Sequence, residues 1–221
     1  MADRIDFLAG IDGVIFDLDG TLADSMWIWR DIDLNYLGRR GIEMPEGLQK
    51  ELTGLSLHEN AVYFKTRFSL PDSLEEILDE WNRMAYAYYE SIIPMKEGAM
   101  SLLQFLQKKQ IPMAVATSNS FELTDAFLSH WALYPFFKCV LTSREIPQGK
   151  TSTRIYFEAA EQLGSVPQRT LVFEDTLISV QTALSAGMKV LAVEDADSAD
   201  EREAIRQTAD GYLVSLEELL S

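Results

Sequence analysis

This sequence has few of the residues on which several protein classes depend. It contains a single cysteine, Cys139, and two histidines in 221 residues. One cysteine cannot form an internal disulfide, and these residues are too few for a Cys/His zinc cluster. The sequence is therefore expected to be neither a disulfide scaffold nor a zinc-cluster protein.

Basic residues are also scarce. The 19 Lys and Arg residues stand against 35 Asp and Glu residues, which gives a formal net charge of −16. Nucleic-acid phosphates and anionic membranes both require a basic protein surface. We therefore expect no nucleic-acid or membrane partner. A small anionic substrate is still compatible with this charge if a few cations and a metal converge locally.

Long apolar segments are absent as well. No run approaches the roughly 20 residues that a membrane-spanning helix needs. The N-terminal segment MADRIDFLAG has no apolar stretch of the kind found in signal peptides. We expect a cytoplasmic protein that is a monomer or a weak homodimer.

Short apolar runs alternate with amphipathic helical stretches over much of the chain. Such runs are typical of parallel strands buried on both faces, and the alternation predicts a doubly wound α/β core with a parallel sheet. The runs are Val14–Phe16, Met113–Ala116, Cys139–Leu141, Leu171–Phe173, Val190–Val193 and Tyr212–Val214.

The segment from residue 25 to residue 93 breaks this rhythm, because it contains no convincing strand. Two capping boxes occur in it, one from Ser56 to Glu59 and one from Ser73 to Glu76. We therefore expect a helical cap at residues 25–93, inserted into an α/β core of residues 1–24 and 94–221. Its two linkers give it the geometry of a lid.

Two carboxylates, Asp17 and Asp19, follow the first predicted strand, and Gly20 comes next. Ligands bind beyond the carboxyl ends of strands in open α/β sheets, and neighbouring carboxylates repel one another unless a cation is bound. Oxygen ligands at this spacing suit Mg²⁺. A solvated turn is the alternative, because Asp and Gly are common turn residues.

The other strand ends carry polar groups of complementary kinds. Hydroxyl groups at a helix N-terminus can bind an anion, although helix capping alone also explains such residues. Together, the groups favour a site for a phosphate and a metal. They are Thr117, Ser118 and Asn119 after the second strand, Lys150 beyond the third, and Glu174 and Asp175 after the fourth.

These motifs resemble those of the haloacid dehalogenase superfamily. The similarity is to the helical-cap subgroup that includes β-phosphoglucomutase-like phosphatases and phosphoglycolate phosphatase. The segment Asp17-Leu-Asp-Gly-Thr21 matches the first motif, Thr117 the second, Lys150 the third, and Glu174-Asp175 the fourth. The resemblance covers nearly the whole chain, including the position and size of the insertion.

The resemblance implies a reaction in two chemical steps. Asp17 attacks phosphorus and forms an aspartyl phosphate, while Asp19 protonates the leaving group and then activates water. Mg²⁺ is implied between Asp17, the backbone carbonyl of Asp19, and Asp175, with Glu174 in or near the coordination shell. The residues implied to contact the phosphoryl oxygens are Thr117, Lys150, Ser118 and Asn119.

We therefore expect a Mg²⁺-dependent phosphatase acting on a small phosphorylated metabolite, such as a sugar phosphate. A phosphomutase of the β-phosphoglucomutase type is one alternative. A non-catalytic phosphate sensor or receiver-like protein is another. Asp19 speaks against the sensor, whereas Thr151 and Ser179, which stand where the family commonly has proline and glycine, keep it open.

Three residues of the expected cap have two readings each. Trp27 and Trp29 form either an apolar wall of a substrate pocket or part of the packing of the cap helices. His58 either touches substrate or is an exposed residue near a helix start.

Overall fold

Each of the six apolar runs forms a strand in the computed structural model, which describes residues 7–52, 57–146 and 148–220. All neighbouring strands are parallel, in the order β3-β2-β1-β4-β5-β6. The predicted α/β class is therefore confirmed. The strands are β1 Gly13–Phe16, β2 Met113–Ala116, β3 Phe137–Leu141, β4 Thr170–Glu174, β5 Lys189–Val193 and β6 Gly211–Leu213.

The central strand β1 brings three strand ends together. Its residue Ile15 pairs with Ala114 of β2 on one side and with Val172 of β4 on the other. Every residue of these three strands is buried, which explains why their sequences are nearly all apolar. Because the strands are parallel, the polar residues that follow them emerge at one edge of the sheet.

The chain divides into two compact units, Met1–Met26 with Ile93–Ser221, and Trp27–Ile92. The boundaries inferred from the sequence differ from these by two residues at the first junction and by one at the second. The smaller unit is helical wherever it has regular structure in the described residues. Its helices are α1 Trp27–Gly38, α2 Leu48–Leu52, α3 Leu57–Arg67 and α4 Leu74–Ser91.

The helical unit packs around three buried aromatic side chains, Tyr36, Phe64 and Trp81. The ring of Trp81 lies edge-on to Phe64, with centroids 4.9 Å apart, and edge-on to Tyr36 at 5.6 Å. Helix α4 begins with the predicted capping box, in which Ser73 and Glu76 bond each other's backbone N–H. The other predicted box includes Ser56, which lies outside the described residues.

In the larger unit, further helices lie between the strands along the chain, as the predicted alternation of strands and helices requires. Gly187 follows one of them with a φ of +80°, as expected of a residue that ends a helix. Ser215 and Glu218 form a capping box that opens a 3-10 helix, Leu216–Leu219. The α-helices are α5 Ala99–Lys108, α6 Phe121–His130, α7 Arg154–Leu163, α8 Leu177–Ser185 and α9 Arg202–Thr208.

In the part of the chain that the structure describes, no helix combines the length and apolar character needed to cross a bilayer.

Candidate active site

The loop after β1 places Asp17 and Gly20 against the end of β4. The backbone N–H of Asp17 donates to the carbonyl of Phe173 at 3.0 Å, so Asp17 still belongs to the sheet. Gly20 has a φ of +77°, and a Cβ at this position would lie 2.2 Å from Oδ2 of Asp175. Only glycine allows both this turn and this close approach of the Asp175 carboxylate.

Three buried carboxylates meet beside this turn. Asp17, Glu174 and Asp175 each offer an oxygen within 4.8 Å of the others. Burial raises the pKa of Glu174 to about 7, with a smaller opposing effect from Lys150. Burial, and then the negative charge of Asp17, hold the pKa of Asp175 well above its usual range. The cluster therefore carries an electrostatic cost that a bound cation relieves.

Two oxygens of this cluster are suited to a metal ion. Oδ1 of Asp17 and Oδ1 of Asp175 are buried, and neither has a hydrogen-bond partner among the described residues. Buried carboxylate oxygens without donors are costly, and hard cations such as Mg²⁺ prefer oxygen ligands of this kind. The donor set thus fits the predicted Mg²⁺. Glu174 differs, because both of its oxygens accept hydrogen bonds from the protein.

Lys150 lies between two of the acids. It belongs to a short 3-10 helix, Gly149–Thr151, and its side chain is 9% exposed. The ammonium is 2.6 Å from Oδ2 of Asp17 and 2.9 Å from Oε2 of Glu174. Burial by itself lowers the pKa of Lys150, but Asp17 and Glu174 outweigh it and raise that pKa above its usual value. Lys150 is therefore a fixed positive charge beside the predicted nucleophile.

The residues after β2 reach the same place. Asn119 Nδ2 donates to Oδ2 of Asp19 at 2.8 Å, and the hydroxyl of Ser25 donates to Oδ1 of Asp19 at 2.7 Å. The Thr117 hydroxyl is buried and accepts the backbone N–H of Asn119 at 3.1 Å. These contacts hold the Asp19 carboxylate from two sides.

Ser118 has a different partner. Its hydroxyl accepts the backbone N–H of Lys150 at 3.0 Å. A Cβ on Gly149 would lie 2.5 Å from the same hydroxyl oxygen, so the Lys150 segment approaches Ser118 closely. Ser118 therefore fixes the backbone that carries Lys150. From the sequence, Ser118 was expected only to contact phosphate.

A family model described as haloacid dehalogenase-like hydrolase matches residues 14–193, which include the carboxylates, Lys150 and the residues after β2 described above. The chain belongs to the haloacid dehalogenase-like hydrolase family. The predicted family and the prediction of an enzyme are confirmed.

Named phosphatases occur among the relatives of this hydrolase. It is 26% identical over 212 residues to a phosphorylated carbohydrates phosphatase of Thermotoga maritima, an alignment that covers 96% of this chain and 97% of the relative. It is 32% identical over 183 residues to hexitol phosphatase A of Escherichia coli, and this alignment covers 82% of each chain. These relatives support the predicted class, a phosphoric monoester hydrolase.

Solved structures show the same fold. CbbY of Rhodobacter sphaeroides, crystallised with phosphate, superposes with a TM-score of 0.80 at 24% identity and covers 95% of this chain and 96% of its own. β-Phosphoglucomutase of Clostridium difficile gives a TM-score of 0.74 at 20% identity, with 95% of this chain and 93% of its own covered. At these identities the likeness concerns the fold alone.

Two features of this hydrolase's site escaped the sequence reasoning. The first is Tyr156 of α7, a buried residue whose hydroxyl donates to Oε1 of Glu174 at 2.7 Å. The second is Asp195, which is buried beyond β5 and forms a 3.0 Å ion pair with Lys96. The sequence indicates Asp195 as a polar residue that follows a strand. It indicates only that Tyr156 is buried, because Tyr156 lies in an apolar helical stripe.

Trp27, Trp29 and His58, which had two possible roles each, are not core residues of the helical unit. Trp27 is 39% exposed and touches the ring of Tyr88 edge-on, with centroids 5.7 Å apart. Trp29 is half-buried, and His58 is exposed on α3. Contact of these residues with substrate stays a prediction.

Proposed function

We propose that this hydrolase is a Mg²⁺-dependent phosphatase that acts on a small phosphate monoester through an aspartyl-phosphate intermediate. The environment of Asp17 carries the proposal. One oxygen of this carboxylate has no hydrogen-bond partner among the described residues, and the other lies 2.6 Å from the Lys150 ammonium. A carboxylate held beside a fixed cation and near other acids is suited to attack an anionic phosphoryl group.

In the first step, an Asp17 oxygen bonds to phosphorus and the bond from phosphorus to the ester oxygen breaks. Asp19 gives its proton to the departing alkoxide, so the product alcohol leaves neutral. In the second step, Asp19 takes a proton from water, and the water oxygen attacks phosphorus. This step releases inorganic phosphate and returns Asp17 as a carboxylate.

The hydrogen bonds of Asp19 support its role as the acid and base. Ser25 donates to one of its oxygens at 2.7 Å, and Asn119 donates to the other at 2.8 Å. A general acid must be oriented before it transfers a proton, and these donors fix the direction of the carboxyl group. When Asp19 carries the proton that it gives to the leaving group, the protonated oxygen is the weaker acceptor, so the hydrogen bond to that oxygen weakens.

The remaining site residues neutralise and orient the phosphoryl oxygens. Lys150 supplies a permanent positive charge, and the Thr117 hydroxyl is available as a donor at the end of β2. Mg²⁺, when bound by Asp17, Asp175 and the Asp19 carbonyl, offsets the negative charge shared by the carboxylates and the phosphoryl group.

The relatives support sugar phosphates as the substrate class to test first. Two of them are named a phosphorylated carbohydrates phosphatase and a hexitol phosphatase, and the aligned segments span most of this chain. We extend that class to this protein as part of the proposal, with a small cytoplasmic metabolite as its partner.

The test is release of inorganic phosphate from a panel of sugar and small-metabolite phosphates. Wild type and Asp17→Asn are assayed with Mg²⁺ and with a chelator. Release that needs both Mg²⁺ and Asp17 supports the proposal. An isomerised product without stoichiometric phosphate would instead identify a phosphomutase. A stable phospho-aspartate without turnover would identify a sensor.

A further inference from the structure

Glu174 is fully buried, and each of its carboxylate oxygens is already engaged. Oε2 accepts from the Lys150 ammonium at 2.9 Å, and Oε1 accepts from the Tyr156 hydroxyl at 2.7 Å. Glu174 therefore links a residue of helix α7 to the cation beside Asp17.

The same lysine is also tethered through its backbone. Ser118 accepts the Lys150 N–H at 3.0 Å. The ammonium itself has two acidic neighbours, and an unconstrained Lys side chain has several rotatable bonds. Its position between Asp17 and Glu174 depends on Glu174 staying in place.

Tyr156 is the second group that donates a hydrogen bond to Glu174. Its ring belongs to the apolar core formed with Ile155, Ala159 and Val172, so its position is fixed by packing. Only the hydroxyl reaches polar partners, namely Glu174 and, at 3.3 Å, the carbonyl of Ser179. Burial, followed by the charge of Glu174, holds the pKa of Tyr156 well above its usual value, so the hydroxyl remains a donor.

We propose that Tyr156 is a positioning residue for this site, which acts by holding Glu174 so that Glu174 holds Lys150 against Asp17. The inference rests on the proposed phosphatase function and adds a residue that touches neither the substrate nor the reacting atoms. It also makes the positioning of Lys150 the main role of Glu174, because both oxygens of Glu174 already accept hydrogen bonds from the protein.

Tyr156→Phe isolates the hydroxyl, because phenylalanine keeps the ring in the apolar core. Tyr36→Phe is the matched control. It also removes a buried tyrosine hydroxyl, but one that has no hydrogen-bond partner among the described residues. Both variants are compared with wild type in kcat and KM for a phosphate ester that the wild type hydrolyses. Affinity for inorganic phosphate is measured by calorimetry with Mg²⁺ present.

We expect Tyr156→Phe to lower kcat/KM by about tenfold or more, as loss of a hydrogen bond to a charged group does. Phosphate affinity should fall as well, and Tyr36→Phe should change neither quantity. In a Glu174→Ala background, Tyr156→Phe should add no further loss, because the group through which it acts is gone. A merely structural tyrosine would add the same loss in both backgrounds.

Wild-type kinetics and phosphate affinity in Tyr156→Phe would overturn the inference, and so would equal losses in the two backgrounds. The proposed function fails in a different way. A wild type that binds phosphate but hydrolyses no ester refutes the phosphatase, while the phosphate affinities still decide the role of Tyr156. A wild type that does neither refutes both proposals.

Discussion

Asp33 of α1 is a buried carboxyl group in the helical unit, with 7% of its surface exposed. Gln49 Nε2 donates to its Oδ2 at 2.9 Å. Burial raises the pKa of Asp33 from 3.8 to about 6, and the hydrogen bond from Gln49 opposes that rise only in part. The folded protein therefore keeps a proton on Asp33 at pH values where the unfolded chain has lost it.

This difference makes the stability depend on pH in one direction. Between about pH 4 and pH 6 the folded state binds more protons than the unfolded state, so the free energy of unfolding falls as the pH rises. A shift of about 2 pKa units, at about 1.4 kcal/mol per unit, amounts to about 3 kcal/mol above this range. The penalty is small at about pH 4 because the folded state is still protonated there.

Asp33→Asn should remove the penalty, because its amide oxygen can still accept from Gln49 and it carries no charge. We expect the variant to be about 3 kcal/mol more stable than wild type at about pH 8, and within about 1 kcal/mol of it at about pH 4. Urea unfolding followed by tryptophan fluorescence measures this. Three of the four tryptophans, Trp27, Trp29 and Trp81, lie in the helical unit.

Asp79→Asn is the control, because Asp79 is exposed on α4 and its replacement removes the same charge. A stability gain in Asp33→Asn that is the same at both pH values would refute the reasoning. So would a loss at the higher pH, which would mean that the ionised carboxylate has a stabilising partner.

Other changes at the site have directions that follow from its geometry. Asp19→Ala should allow slow phosphorylation of Asp17 but stall turnover, which a burst of alcohol release without steady-state phosphate will reveal. Gly20→Ala places a Cβ 2.2 Å from Asp175 Oδ2 at a φ of +77°; it should lower the free energy of unfolding by about 2 kcal/mol and weaken activation by Mg²⁺. Lys96→Met leaves buried Asp195 without its ion-pair partner, which should cost about 3 kcal/mol in urea unfolding.

Two of these variants have a matched control. Gly38→Ala is the control for Gly20→Ala, because a Cβ at Gly38 meets nothing within 4 Å. Lys108→Met removes an exposed lysine and controls for Lys96→Met. Unchanged steady-state rates in Asp19→Ala would contradict its acid and base role. Equal effects in a variant and its control would contradict the corresponding structural reason.

The fold was predictable because its buried strands are short apolar runs with polar residues at their ends. The first and last residues of two strands were harder to predict from the sequence. β4 extends through Glu174, although a carboxylate reads as the end of a strand, because Lys150 and Tyr156 satisfy both of its oxygens. β3 begins at Phe137 and includes Lys138, since a half-buried edge strand tolerates a lysine.

The types of group at the site were predictable, but their pairing was not. Ser118 and Asn119 stand where phosphate contacts were expected, yet their contacts in the structure are with the Lys150 backbone and with Asp19. An apolar helical stripe indicates that Tyr156 is buried. It carries no information about the hydroxyl, whose partner lies 18 residues further along the chain on another element.

The central position of β1 in the sheet has a consequence for folding during synthesis on the ribosome. Val14 of β1 pairs with Met113 and Leu171, both of which are synthesised after the helical unit. The helical unit is one continuous segment, so all of its own residues emerge before either neighbour of β1. Until then the strand Gly-Val-Ile-Phe has two unpaired edges, which favour aggregation. We therefore expect a nascent chain paused before Met113 to be prone to aggregation.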